Sequence, residues 1–153
     1  MTTSNEPTGI DPRGPRFGAS ITAVLLLAIV FLALSGAWVA AGVLQFFVTA
    51  LFAWGWLAGI QSHPYGLFFA KVIRPRLRAS AEREDPRPPT FAQFVGFVVT
   101  ASGVVLAAVF DLAYAIPVTA GLAFIAAFLN AAFGYCLGCQ IWLLLARAGA
   151  IKA

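Results

Sequence analysis

Residues 17–60 read FGASITAVLLLAIVFLALSGAWVAAGVLQFFVTALFAWGWLAGI, with no Asp, Glu, Lys, Arg or His among them. As a single helix this run would be about 66 Å long. The hydrocarbon core of a bilayer is only about 30 Å thick. The run therefore folds back once. Ser35-Gly36 supplies the turn, which predicts spans near 17–34 and 38–60.

Composition agrees with a lipid solvent. Of 153 residues, 61% are hydrophobic and 10% are charged, whereas soluble domains carry roughly 25% charged residues. The length suits one domain. Two cysteines are too few for a secreted disulfide scaffold. The net charge of +4 does not indicate nucleic acid, because the charges sit between apolar runs and make no basic face.

Outward from the central run, residues 1–16 are polar and rich in proline and glycine, and are read as an irregular segment. Beyond Gln61, His63-Pro64 predicts a short helix. Tyr65, Leu67, Phe68, Phe69, Val72 and Ile73 give it an apolar side, and Lys71 and Arg74 add charge. It is expected to lie in the membrane interface and to end at Pro75. The basic loop that follows is expected to meet anionic headgroups. Glu82 to Pro89 reads as a charged linker. Thr90-Phe91-Ala92-Gln93 has capping-box spacing, so a third span is predicted over 91–110. Asp111 reads as a solvated turn residue. The last apolar stretch, Ile116 to Leu145, exceeds one crossing. A fourth span over 116–135 is predicted, with a break near Gly134-Tyr135, a short helix to 147 and a tail over 148–153. The expected fold is an all-α polytopic membrane protein: one four-helix transmembrane domain over 17–147 with a cytoplasmic amphipathic segment.

Charge placement sets the orientation. Arg13 and Arg16 precede the first span. Lys71, Arg74, Arg76, Arg78, Arg83 and Arg87 lie between the second and third, and Arg147 and Lys152 follow the fourth. With four spans these segments share one side, and the positive-inside rule puts both termini in the cytoplasm. The first span matches a cleaved signal peptide only faintly, because its apolar core is long.

The residues with chemical content are Cys136-Leu137-Gly138-Cys139. Two thiols three apart can close a disulfide, share a metal or pass a sulfur atom; they can equally fill a helix contact. Gly134 and Gly138 form a GxxxG pair, as do Gly55 and Gly59, and both pairs are read as helix packing. On one continuous helix the glycines and cysteines would face nearly opposite ways. A break at Gly134 instead puts Cys136 at a helix start, where the dipole favours thiolate. A reducing cytoplasm argues against a lasting disulfide. His63, the sole histidine, is a candidate ligand or proton carrier, with a structural helix-start role as the competing reading. Gln45, Thr49 and Asn130 lie within spans; single amides there usually bond a neighbouring helix. There is no phosphate-cradling glycine loop and no hydrolytic triad. One histidine cannot support a histidine-rich metal site.

The chain resembles a family of small bacterial membrane proteins known as a domain of unknown function, family 4395. The resemblance runs through Ile10-Asp11-Pro12-Arg13 with Phe17, Ser62-His63-Pro64, the basic loop, Phe91-Ala92-Gln93 with Gly96, and Phe133-Gly134-Tyr135-Cys136-Leu137-Gly138-Cys139. It implies a four-helix inner-membrane protein and assigns no reaction. Members of the family are often encoded near thioredoxin-like or sulfurtransferase proteins, which suits a thiol or sulfur role without assigning a mechanism.

Two functions follow as expectations. In the first, Cys136 attacks and Cys139 resolves, carrying electrons or a persulfide sulfur to a cytoplasmic thioredoxin-like or rhodanese-like partner, without a cofactor. A version that transports a small sulfur anion would be helped by a homo-oligomer. In the second, the protein is a non-catalytic scaffold or accessory subunit. Its cysteines then pack, or bind zinc or an iron–sulfur cluster across two chains, with His63 as a further candidate ligand beside Cys136 and Cys139.

Overall fold

A computed structural model describes residues 9–78 and 82–151. Residues 1–8 of the polar N-terminal segment, residues 79–81, and Lys152 with Ala153 of the tail lie outside the described part. The described chain is helical: α1 (Arg13–Leu34), α2 (Trp38–Leu57), α3 (Pro64–Phe68), α4 (Arg87–Phe110), α5 (Ala115–Phe133) and α6 (Leu137–Arg147). Four of these, α1, α2, α4 and α5, are long and apolar enough to cross a membrane. The chain is a polytopic all-α membrane protein.

α1 packs chiefly on α5 and α2, and α4 on α2, α5 and α6. The bundle thus runs in ring order α1–α2–α4–α5, with α6 outside α4. Its interior is made by Leu26, Ile29 and Ala33 of α1, Ala41 and Val48 of α2, and Ile116, Ala120 and Ala123 of α5. The alanines among them, Ala33, Ala41, Ala120 and Ala123, let the backbones approach closely. The outer faces carry exposed Val24, Phe31, Val39, Phe46, Val109 and Leu122, as a lipid-facing surface requires.

A small polar cluster, Gln45, Thr49, Thr100 and Thr119, sits inside. Gln45 of α2 is fully buried; its Nε2 donates to the Thr100 carbonyl (3.1 Å) on α4 and to Thr119 Oγ1 (2.8 Å) on α5. Thr119 Oγ1 in turn donates to the Ala115 carbonyl at 2.8 Å. Both amide hydrogens are therefore used, and a flipped amide would set oxygen against the Thr100 carbonyl. Gln45 Oε1 is left without a protein partner. Gly103 makes room for this crossing: a Cβ there would collide with both Thr119 Oγ1 and Gln45 Nε2.

Several boundaries differ from the sequence expectations, each for a local reason. α1 begins at Arg13 and not near Phe17, because the Asp11 carboxylate accepts the Arg13 N–H at 3.0 Å and pairs with its guanidinium at 2.8 Å. α4 begins at Arg87, ahead of Thr90. Pro88 and Pro89 lack N–H groups and fit a first helical turn, and Asp85 Oδ1 accepts the Arg87 N–H at 2.9 Å. Thr90 is thus not a cap. Its hydroxyl donates back to the Pro86 carbonyl at 2.7 Å, and Gln93 packs on Gly55 instead of closing a capping box. After α3 the chain widens through Phe69–Ile73 and tightens over Arg74–Arg76, so the turn runs through Pro75 instead of stopping there. This segment lies on α1: Tyr65 meets Gly18, buried Phe69 meets Gly14, and Phe17 stacks on Phe68. Ile10 and Glu84 exchange two backbone hydrogen bonds of 2.9 Å, tying the N-terminal segment to the linker.

Candidate functional site

α5 ends where Gly134 takes a left-handed conformation, φ 68°. A residue with a Cβ resists this geometry. The Gly134 N–H closes on the Asn130 carbonyl and the Tyr135 N–H on the Leu129 carbonyl, so the last turn of α5 is satisfied and the chain is free to turn. Cys136 then adopts an extended conformation, φ −88°, ψ 104°, and becomes the N-cap of α6. Its Sγ accepts the Cys139 N–H at 3.3 Å, the bond that a serine or aspartate oxygen makes at an ordinary cap. Cys139 stands in the first turn, with its Cα 5.2 Å from that of Cys136. The two sulfurs are at disulfide-bonding distance, and neither cysteine is free. The sequence expectation was a reduced pair. The extended cap explains the closeness, because it swings the Cys136 side chain back over the first turn of α6.

Both cysteines are half-buried. On one side α6 touches α4 through Gly138, where a Cβ would lie 2.5 Å from the Ala92 backbone. One turn on, buried Trp142 lies beneath the Arg87 guanidinium, 5.7 Å from ring centroid to Cζ. On the other side stands Arg16 of α1, its Cζ, Nε and Nη1 3.6–3.7 Å from where a Cβ on Gly134 would be. Antiparallel packing of α1 and α5 brings this cation to the junction, two residues before Cys136.

The glycines do not act as two packing pairs. Gly55 and Gly138 each meet a neighbouring element closely, at Gln93 and Ala92. Gly59 lies beyond the end of α2 at φ 82° with open space around its Cα, and Gly134 is a left-handed cap. The break at Gly134 separates it from Gly138, so they share no helix face.

His63 serves structure. It is 4% exposed. Its Nε2 lies 3.1 Å from the Leu51 carbonyl, and its Nδ1 accepts the Tyr65 N–H at 3.3 Å as the N-cap of α3. These partners define the tautomer with hydrogen on Nε2. Both nitrogens are occupied here by backbone groups. Among the described residues no group of three His, Cys, Asp or Glu side chains converges. Burial pushes the His63 pKa below its ordinary value, only partly offset by the Leu51 carbonyl. Asp111 caps α4 in a left-handed conformation, φ 56°, and is exposed.

The sequence reading gave Arg16 and Ala92 no place at this site and did not single out Trp142. Arg16 alone had a signal: it opens a helix that must run antiparallel to the one ending at Gly134.

A family model described as Domain of unknown function (DUF4395) matches residues 10–147. No curated protein and no solved structure matches the chain.

Proposed function

We propose that this chain, which belongs to the DUF4395 family, is a membrane-embedded thiol relay in which Cys136 and Cys139 cycle between dithiol and disulfide. The observation that carries the reading is the Cys136 sulfur at the start of α6, accepting the Cys139 N–H and standing at bonding distance from the Cys139 sulfur. The positive end of a helix dipole favours thiolate, and thiolate is the attacking form. Cys136 is therefore the attacking residue and Cys139 the resolving one.

The partner is a thioredoxin-like dithiol protein. Its first thiolate attacks Cys136 Sγ, the bond between the two sulfurs breaks, and Cys139 leaves as thiolate. The partner's second thiolate then attacks the partner sulfur of the mixed disulfide and releases Cys136. The partner is oxidised by two electrons and the pair is reduced by two; the reverse sequence oxidises the pair. The grouping of Lys and Arg at one end of the spans supports a bacterial inner-membrane protein with both termini in the cytoplasm. The cysteines follow α5 at that same end, within reach of a cytoplasmic partner.

The test uses a thioredoxin-like protein with its resolving cysteine replaced by serine and its remaining thiol activated as a pyridyl disulfide. Cys139→Ser protein in detergent is expected to form the mixed disulfide several-fold faster than Cys136→Ser protein. Equal rates, or no capture by either variant, would remove Cys136 from the attacking role.

A further inference from the structure

Building on that relay, we infer that Arg16 makes the cysteine pair selective for small disulfides that carry negative charge beside the sulfur. The guanidinium lies against Gly134, where three of its atoms occupy the space next to a missing side chain. Gly134 and Cys136 are two residues apart, so their Cα atoms are separated by at most about 7 Å. Two nearby arginines are held in ion pairs, Arg13 by Asp11 and Arg87 by Asp85. Arg16 is in neither, and it is exposed. Of the cations near α6, Arg87 is held by Asp85 and lies over Trp142, and Arg147 stands at the far end of the helix. Arg16 is thus a cation with charge to spare beside the glycine that precedes the sulfurs.

The chemistry is ordinary disulfide exchange. Cys136 thiolate attacks one sulfur of the compound, forming a mixed disulfide and releasing one anionic thiolate. Cys139 thiolate attacks Cys136 Sγ, closing the protein disulfide and releasing the second. The compound gains two electrons and the pair loses two. A carboxylate beside the attacked sulfur meets Arg16 during approach, and a neutral disulfide gains nothing from it. Arg16 is a specificity-determining residue and takes no part in bond making.

The measurement is the ratio of two rates on reduced full-length protein in one detergent. One reagent is dithiobis(nitrobenzoate), which carries carboxylates; the other is neutral dithiodipyridine. Arg16→Gln is expected to lower the anionic-to-neutral ratio roughly three- to tenfold at low salt. Arg16→Lys should keep most of the ratio, and Arg147→Gln should leave it unchanged. High salt should bring the unsubstituted protein toward the Arg16→Gln value. A role confined to holding the α5–α6 junction would change both rates by one factor, and an unmoved ratio in Arg16→Gln overturns the inference. An Arg147→Gln effect as large as that of Arg16→Gln overturns it too, by making the selectivity a matter of net charge. Failure of the unsubstituted protein to react with either reagent would instead sink the relay itself.

Discussion

Gly138 of α6 and Ala92 of α4 meet so closely that a Cβ on Gly138 would stand 2.5 Å from both the Cα and the Cβ of Ala92. α6 is an 11-residue helix, too short to cross a bilayer. It is fixed to the bundle by this contact and by Trp142 one turn on. The first turn that carries the cysteines is thereby held in place.

Gly138→Val is therefore expected to push α6 off α4 at a cost of about 1–3 kcal/mol, the usual range for overpacking. Hydrogen exchange read by mass spectrometry checks this. Amides of α6 should exchange faster in the variant while those of α1 and α5 stay protected. Unchanged protection in α6 would mean that the contact does not hold the helix.

The Gln45 crossing links three helices through one amide. Gln45→Leu is expected to cost about 1 kcal/mol, in line with interhelical hydrogen bonds inside membranes. Gly103→Ala should cost about 1–3 kcal/mol, because the added methyl enters the space of Gln45 Nε2 and Thr119 Oγ1. The double variant Gly103→Ala with Gln45→Ala should lose less than the sum of its single variants, since one obstruction is gone. Thermal denaturation in detergent gives all of these values, and strict additivity would contradict the shared contact.

His63 predicts a pH dependence. Above about pH 6.5, the ordinary imidazole value, the ring is neutral in folded and unfolded chains alike and contributes no slope. Its folded pKa is lowered, chiefly by burial. As the pH falls below about 6.5 the unfolded chain takes up the proton first, and stability declines until the folded ring is protonated as well. Comparing melting temperatures at pH 7.5 and pH 5 isolates this: His63→Gln should show a smaller acid-side loss than the unsubstituted protein. An equal loss in both would assign the slope to other groups.

Gly134→Ala places a Cβ on a left-handed residue, at a cost of about 1–2 kcal/mol. The space itself is adequate, since the nearest Arg16 atom stands 3.6 Å away. Gly134→Asn should cost less, because Asn tolerates this conformation. Denaturation midpoints should rank Gly above Asn above Ala, and Ala equal to Gly would show that the break does not rest on backbone conformation.

The fold class was legible because lipid leaves few solutions: uncharged runs of bilayer length with charge confined to the gaps define crossings without help from packing. Helix starts were less legible. Asp11 and Asp85 hold the first turns of α1 and α4 from ahead of prolines, whereas Thr90 only resembles a cap in sequence spacing. At the site, Cys136 and Cys139 announced themselves by spacing, and Gly134 by the surplus length of the last apolar run. Gly59 misled, because GxxxG spacing does not say that both glycines lie on one helix. His63 was ambiguous for a different reason: only the positions of the Leu51 carbonyl and the Tyr65 N–H show that its nitrogens are taken. Arg16 and Ala92 come from other helices to stand against Gly134 and Gly138, the glycines beside the cysteines, and a pattern read along one chain segment does not reveal neighbours across a bundle.

The most direct measurement is an equilibration of the full-length protein in detergent across glutathione buffers of graded redox poise, followed by acid quenching, alkylation and intact mass. A relay predicts a single two-electron transition, from protein carrying two alkyl groups to protein carrying none, fully reversible from either side and absent in Cys136→Ser. Two alkyl groups in every buffer, or a disulfide that no buffer opens, would contradict it.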